Sequence, residues 1–170
     1  MREVNEQDDG SMVYYISHRP VFKADGNSRR IRVVFDASMK KSTNISLNYC
    51  QRVGPIIQEQ LFTILVRFRT HAYVFTTDIA KMYRQVLMHE EHRPLQRIFW
   101  RDSPEQGIKT YELKTVSYGT ASAPYLAIQC LHQLALESAK EYPKTCDVMK
   151  HDFYVDDCLT GRETLTEPIN

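Results

Sequence analysis

The stretch FYVDDCLTG, residues 153–161, constrains this chain more than any other. Its arms are aromatic, β-branched and apolar, which is strand composition. Between them two aspartates stand side by side. Neighbours along an extended strand point to opposite faces, so Asp156 and Asp157 can serve one point in space only from a tight turn. Adjacent carboxylates repel, and desolvating either is costly without a partner. The segment therefore reads as a hairpin whose acidic tip either faces water or meets cations. A few oxygen ligands on a stiff support suit Mg²⁺, which keeps several waters and takes the rest of its shell from substrate phosphates. Two such ions would stabilise the attacking and leaving oxygens of a phosphoryl transfer.

Two other points carry chemistry. VFTTDIAKMY brings an apolar strand to its end at Asp78, where a carboxylate is either a turn former or a ligand. VSYGTASAP sets Gly119 among small residues, where another backbone or a flat ligand can approach closely; an ordinary strand-to-helix loop would look the same.

The rest of the chain supplies a mixed set of elements. VYYI (13–16) and IRVVFD (31–36) read as strands joined by the turn KADGNSRR, a hairpin with a basic tip at Lys23, Arg29, Arg30 and Arg32. Residues 38–55 read as loop. Ile57, Leu61, Ile64, Leu65 and Phe68 recur at helical spacing over 56–70. Strands follow at 72–79, 96–100 and 110–116, with a short helix after Asp78. Pro124 opens a helix over 124–140, with Leu131, Leu134 and Ser138 on one side, and Pro143 is expected to end it. Without a repeating βαβ unit, this order fits an α+β sandwich.

A chain of 170 residues holds one domain with a real core. No apolar run approaches a membrane span, and MREVNEQDDG offers no apolar stretch for a signal peptide, so an intracellular location, cytoplasmic or nuclear, is expected. The four cysteines form no CxxC pair or zinc spacing, which favours reduced thiols. The net charge of +1 conceals a gradient. Residues 1–10 carry one Lys or Arg against four Asp or Glu, residues 11–110 sixteen against eight, and residues 111–170 five against nine. A basic stretch followed by an acidic end fits a polyanion surface beside a metal pocket, and equally a solvated surface.

Strand–Asp, then small-residue loop–helix, then hairpin Asp-Asp is the layout of a polymerase palm. From about residue 13 to 161 the chain resembles reverse transcriptases, and the wording RVVFDAS, GPIIQEQLFTILVRFR, TTDIAKMYRQV, YELKTVSYGTASAP and FYVDDCLTG is similar to the Bel/Pao class of long-terminal-repeat retrotransposons. The resemblance implies an α+β fingers–palm fold, an antiparallel sheet packed on helices, over residues 12–161. The implied activity is RNA-directed and DNA-templated synthesis of DNA. Asp78, Asp156 and Asp157 would be catalytic and would bind two Mg²⁺ ions, or Mn²⁺ in their place, with the Ile79 carbonyl assisting.

By the same resemblance Arg32 would hold the incoming triphosphate, its planar fork suiting phosphate oxygens. Tyr83 would lie under the sugar and favour deoxynucleotides. Tyr118 and Gly119 would pack against nucleotide or template; many reverse transcriptases carry Gln or Phe where Tyr118 stands. Lys23, Arg29 or Arg30 would supply the accompanying cation and contact nucleic acid. Gln85 follows the family pattern with no chemistry assigned. The implied partners are an RNA or DNA template with primer and deoxynucleoside triphosphates. Residues 1–11 are expected to fray and 162–170 to form a truncated tail. Family members continue with a thumb and commonly an RNase H domain, so the expectation is a fragment without a thumb and with weak processive synthesis. The alternative is a non-catalytic relic that retains at most nucleic-acid binding. A metal-dependent nuclease or phosphatase would use the same acids.

Overall fold

The computed structural model describes residues 1–4, 12–25 and 28–164, with the side chains of 23–25 and 28–30 also outside the description. The fold is mixed α+β with small antiparallel sheets and helices. It divides into two compact units, Met1–Val53 with Tyr83–Ala123, and Gly54–Met82 with Pro124–Asn170.

In the first unit, β1 (Arg2–Val4), β6 (Lys109–Glu112) and β5 (Arg97–Trp100) form a sheet in that order. The expectation of a fraying end at 1–11 is corrected over Arg2–Val4, which pair antiparallel with β6, Arg2 opposite Glu112. Charge holds this strand: Arg2 Nη2 donates to Glu112 Oε2 at 2.8 Å and Lys109 Nζ to Glu3 Oε2 at 3.0 Å. Residues 5–11 lie outside the described part. Glu112 also takes both Nε and Nη2 of Arg97, at 3.1 and 2.9 Å, in the buried interior. Around it Ile16, Ala37, Leu47, Ile98 and Leu113 make the core, with Tyr14, Phe35, Leu95 and Tyr111 packed on it.

The basic hairpin is displaced from its predicted position. Its strands are β2 (Ser17–Asp25) and β3 (Ser28–Asp36), paired from Ser17–Asp36 to Asp25–Ser28. VYYI supplies only a bridge from Tyr15 to Arg97, because Ile16 N–H and Tyr14 carbonyl bond the Arg97 backbone instead. The predicted turn residues Gly26 and Asn27 lie outside the described residues. A four-residue helix, α1 (Leu47–Cys50), interrupts the predicted loop, its N-terminus capped by Ser46 Oγ accepting from Tyr49 N–H.

In the second unit, β4 (Tyr73–Asp78), β8 (Asp157–Arg162) and β7 (Phe153–Tyr154) form an antiparallel sheet with β8 central. Helix α2 covers Leu61–Phe68, five residues shorter at its start than predicted, and packs on β7 and β8 with Ile64 fully buried. Residues 56–60 stay out of the helix because their polar side chains are engaged elsewhere. Gln58 Oε1 accepts from Val155 N–H, and Glu59 bonds Arg67 and His151. The short helix after Asp78 is α3 (Met82–Gln85).

Helix α4 spans Ala123–Ser138 and buries Ala127, Ile128, Leu131 and Ala135, whereas Leu134 is exposed. Pro143 does not end this helix. It opens a further one, α5 (Pro143–His151), which packs on β7; a first-turn proline has no intrahelical hydrogen bond to lose. All four cysteines are free. Among the described residues, no helix is long and apolar enough to cross a membrane.

Candidate functional site

The second unit brings the predicted carboxylates to one end of one sheet. Strands β4 and β8 pair from Tyr73–Arg162 to Asp78–Asp157, so the last residue of β4 faces the first residue of β8. Ile79 N–H then donates to the Asp156 carbonyl at 2.8 Å, tying the chain beyond β4 to the hairpin turn. The turn residues are Val155 and Asp156, flanked by the Tyr154–Asp157 pair. Tight pairing on both flanks sets Asp156 in the turn and Asp157 at the start of β8.

Val155 sits at φ 57°, a conformation that a β-branched side chain rarely adopts. Such a residue costs on the order of 1–3 kcal/mol and persists where the surroundings over-determine it. Here Gln58 Oε1 accepts the Val155 N–H at 3.2 Å and the ladder fixes both neighbours. Gly161 at the far end of β8 is demanded by packing: a Cβ there would meet the His71 Cβ at 2.5 Å and the Tyr73 carbonyl at 2.6 Å.

Asp78 and Asp157 are exposed and Asp156 is half-buried. An open cleft of about 380 Å³ runs beside them, lined by Thr76, Thr77, Asp78, Asp157, Cys158 and Leu159. Burial, with a further contribution from the Asp152 charge, pushes the Cys158 thiol up to about 11. Cys158 therefore remains protonated near neutral pH and is not a ready nucleophile. The donors on offer are carboxylate oxygens, with the Ile79 carbonyl, which accepts from Met82 N–H at 3.1 Å, close in sequence.

Among the described residues, no three His, Cys, Asp or Glu side chains converge closely enough to enclose a metal ion. The donor set nonetheless fits a hard cation that needs one or two carboxylates and keeps its waters, which describes Mg²⁺ rather than Zn²⁺ or Ca²⁺. Asp78 and Asp157 line the same cleft; the Asp156 backbone is fixed beside them, while among the described residues its side chain completes no three-ligand group.

The remaining predicted site residues belong to the first unit. Arg32 is exposed on β3 opposite Val21. Lys23 stands opposite Arg30, and Ala24 opposite Arg29, in the same hairpin; the side chains of these three basic residues are outside the described part. Tyr83 and Tyr118, both half-buried, pack with ring centroids 4.6 Å apart at 56°. Gly119 has φ 88°, and a Cβ there would collide with the Phe35 carbonyl oxygen. The close approach that small residues suggested is thus made by another strand's backbone.

Sequence reasoning missed the residue that shapes this loop. Asn48 Nδ2 donates to the Gly119 carbonyl at 2.9 Å, and Asn48 Oδ1 accepts from Ala121 N–H at 2.8 Å. Gln51 Oε1 accepts from the same N–H at 3.1 Å. An asparagine and a glutamine in a polar loop give no signal of a partner some 70 residues away. Also unforeseen is the cluster around Arg67, which bonds Glu59 and Asp152 at 3.0 Å each and the His151 carbonyl.

Neither a scan against protein-family models nor a search of curated proteins returns a match for this chain.

Proposed function

We propose that the chain is the fingers–palm part of an RNA-directed DNA polymerase of the Bel/Pao retrotransposon class, working inside the cell on an RNA or DNA template with primer. The observation that supports this best is the register that sets Asp78 opposite Asp157, with Ile79 N–H on the Asp156 carbonyl. Asp78 and the 156–157 pair are nearly 80 residues apart in sequence, and the β4–β8 register sets Asp78 opposite Asp157.

In this reading Asp78, Asp156 and Asp157, with the Ile79 carbonyl, hold two Mg²⁺ ions or Mn²⁺ in their place. When bound, the ions neutralise charge on the phosphates and on the attacking and leaving oxygens. The chain's own residues bind and orient. The Arg32 guanidinium holds triphosphate oxygens in a planar fork. Tyr83, stiffened by its contact with Tyr118, supports the sugar and excludes a 2′-hydroxyl by bulk. Tyr118 and Gly119 pack against nucleotide or template, and Lys23, Arg29 and Arg30 contact the nucleic-acid backbone. The reaction is nucleotidyl transfer, a primer 3′-hydroxyl attacking the α-phosphate and pyrophosphate leaving. Template sequence is read by base pairing.

The test is extension of a labelled DNA primer on an RNA template with Mg²⁺ and the next deoxynucleotide. The wild-type chain is expected to add the nucleotide, and Asp156→Asn to lose at least about a hundredfold in rate. Equal extension by both proteins contradicts the reading. A second reading, a relic that binds nucleic acid without catalysis, is favoured by the absence of a closed three-ligand group among the described residues. It expects no extension by either protein, together with a salt-sensitive gel shift that weakens on Arg29/Arg30 substitution.

A further inference from the structure

The first unit contains a concave site of its own, whose lining includes Tyr118 and none of the three predicted carboxylates. It is a cavity of about 320 Å³, lined mainly by apolar groups, within the roughly 300–1,000 Å³ of small-molecule sites. Register builds its aromatic walls. His18 on β2 stands opposite Phe35 on β3, with ring centroids 6.1 Å apart, and the His18 ring lies 6.0 Å from that of Trp100 on β5. Trp100 is held in orientation by donating its Nε1–H to Asp102 Oδ1 at 2.9 Å.

Charge sets the chemistry of what fits. Arg84 and Lys114 are both exposed and both contribute to the lining, which includes no acid. Neither side chain has an ion-pair partner among the described residues, in contrast to Arg2, Arg67, Arg93, Arg97 and Lys109. An apolar slot walled by flat rings, with two unpaired cations on its lining, is complementary to a flat apolar body with one acidic group. We infer that this cavity binds a planar aromatic anion, its ring among His18, Phe35 and Trp100 and its acid on Arg84 and Lys114.

The chain contains a single tryptophan, so its emission reports on this cavity alone. The probe is 4-nitrobenzoate, a contact quencher, compared with its neutral isostere 4-nitrobenzamide on the full chain. Quenching by the acid is expected to saturate with an unchanged emission lifetime, the mark of a bound complex, and the amide to bind about tenfold more weakly. Arg84→Met and Lys114→Met, at exposed positions and with the fold checked by circular dichroism, are each expected to weaken the acid about fivefold. Lys140→Met, an exposed cation of the other unit, is expected to leave it unchanged. Quenching that rises linearly without saturation, equal affinity for acid and amide, or equal loss in all three variants would overturn the assignment.

Discussion

Asp78 and Asp157 stand directly across from each other as the last pair of the β4–β8 ladder. Directly opposed like charges destabilise a sheet, and both carboxylates are exposed to solvent that only screens the repulsion. A chain that keeps this pair, next to a valine held at φ 57°, accepts two local costs at one sheet end. Costs concentrated at one place are what a ligand-binding site looks like before its ligand is counted.

Removing one charge is therefore expected to stabilise the protein while disabling the site. Asp157→Asn should raise the free energy of unfolding by about 0.5 kcal/mol in urea titration without added divalent ions. Millimolar Mg²⁺ should raise the midpoint of the wild-type chain and leave that of the variant unchanged. A variant less stable than wild type would mean that Asp157 has a structural partner instead.

Glycines give a contrast within one experiment. Gly119→Ala forces a side chain into a positive-φ position against the Phe35 carbonyl, and should cost about 2–3 kcal/mol by thermal or urea unfolding. Gly107 has nothing within 4 Å of an added Cβ, so Gly107→Ala should stay within about 0.5 kcal/mol of wild type.

Ion pairs should divide by burial. Burial disfavours the Arg97 charge, but hydrogen bonding and charge attraction from Glu112 and Tyr15 together outweigh that and raise its pKa overall. The two side chains are 11% and 2% exposed, so Glu112→Ala should cost about 3–5 kcal/mol by leaving a buried guanidinium unpaired. Breaking the half-exposed Lys109–Glu3 pair with Glu3→Ala should leave the urea midpoint almost unmoved, because solvent screens the pair.

Acid sensitivity should arise at the Arg67 cluster. The hydrogen bond from Arg67 holds the Glu59 carboxyl below its ordinary value of 4.5; burial opposes this and His151 adds to it. A carboxyl depressed in the folded state contributes stability that is fully present above its unfolded pKa and is lost as pH falls through the folded one. Unfolding midpoints should therefore drop progressively below pH 4.5, and Glu59→Gln should flatten that part of the profile. An unchanged profile in the variant would place the acid sensitivity elsewhere.

What could be read in advance was local. The arms around Asp156–Asp157 are aromatic, β-branched and apolar and end in Gly161, so the hairpin follows from residues within ten positions. The 123–138 helix announces itself by Pro124 and a long apolar repeat. Two of the misreadings turn on distant partners. Strand β1 is polar and exists because Glu112 and Lys109 receive Arg2 and Glu3. Helix α2 starts late because Gln58 and Glu59 are used by Val155 and Arg67. Pro143 signals a helix end and a helix start equally well, and the sequence alone did not choose. The acids could be named singly from the sequence, but the pairing of Asp78 with Asp157 depends on the β4–β8 register, and the Asn48 clamp on the Gly119 loop left no local trace.

The most direct test of a shared cation is iron-mediated cleavage of the backbone. Fe²⁺ takes the place of Mg²⁺ at oxygen-rich sites, and with ascorbate and peroxide it releases hydroxyl radicals that cut the chain nearby. Cuts are expected in two separate segments at once, around Asp78 and around Val155–Cys158, suppressed by excess Mg²⁺ and absent in Asp157→Asn. Cutting at only one of these segments, or cutting that persists unchanged in Asp157→Asn, would contradict a cation held between the two strand ends.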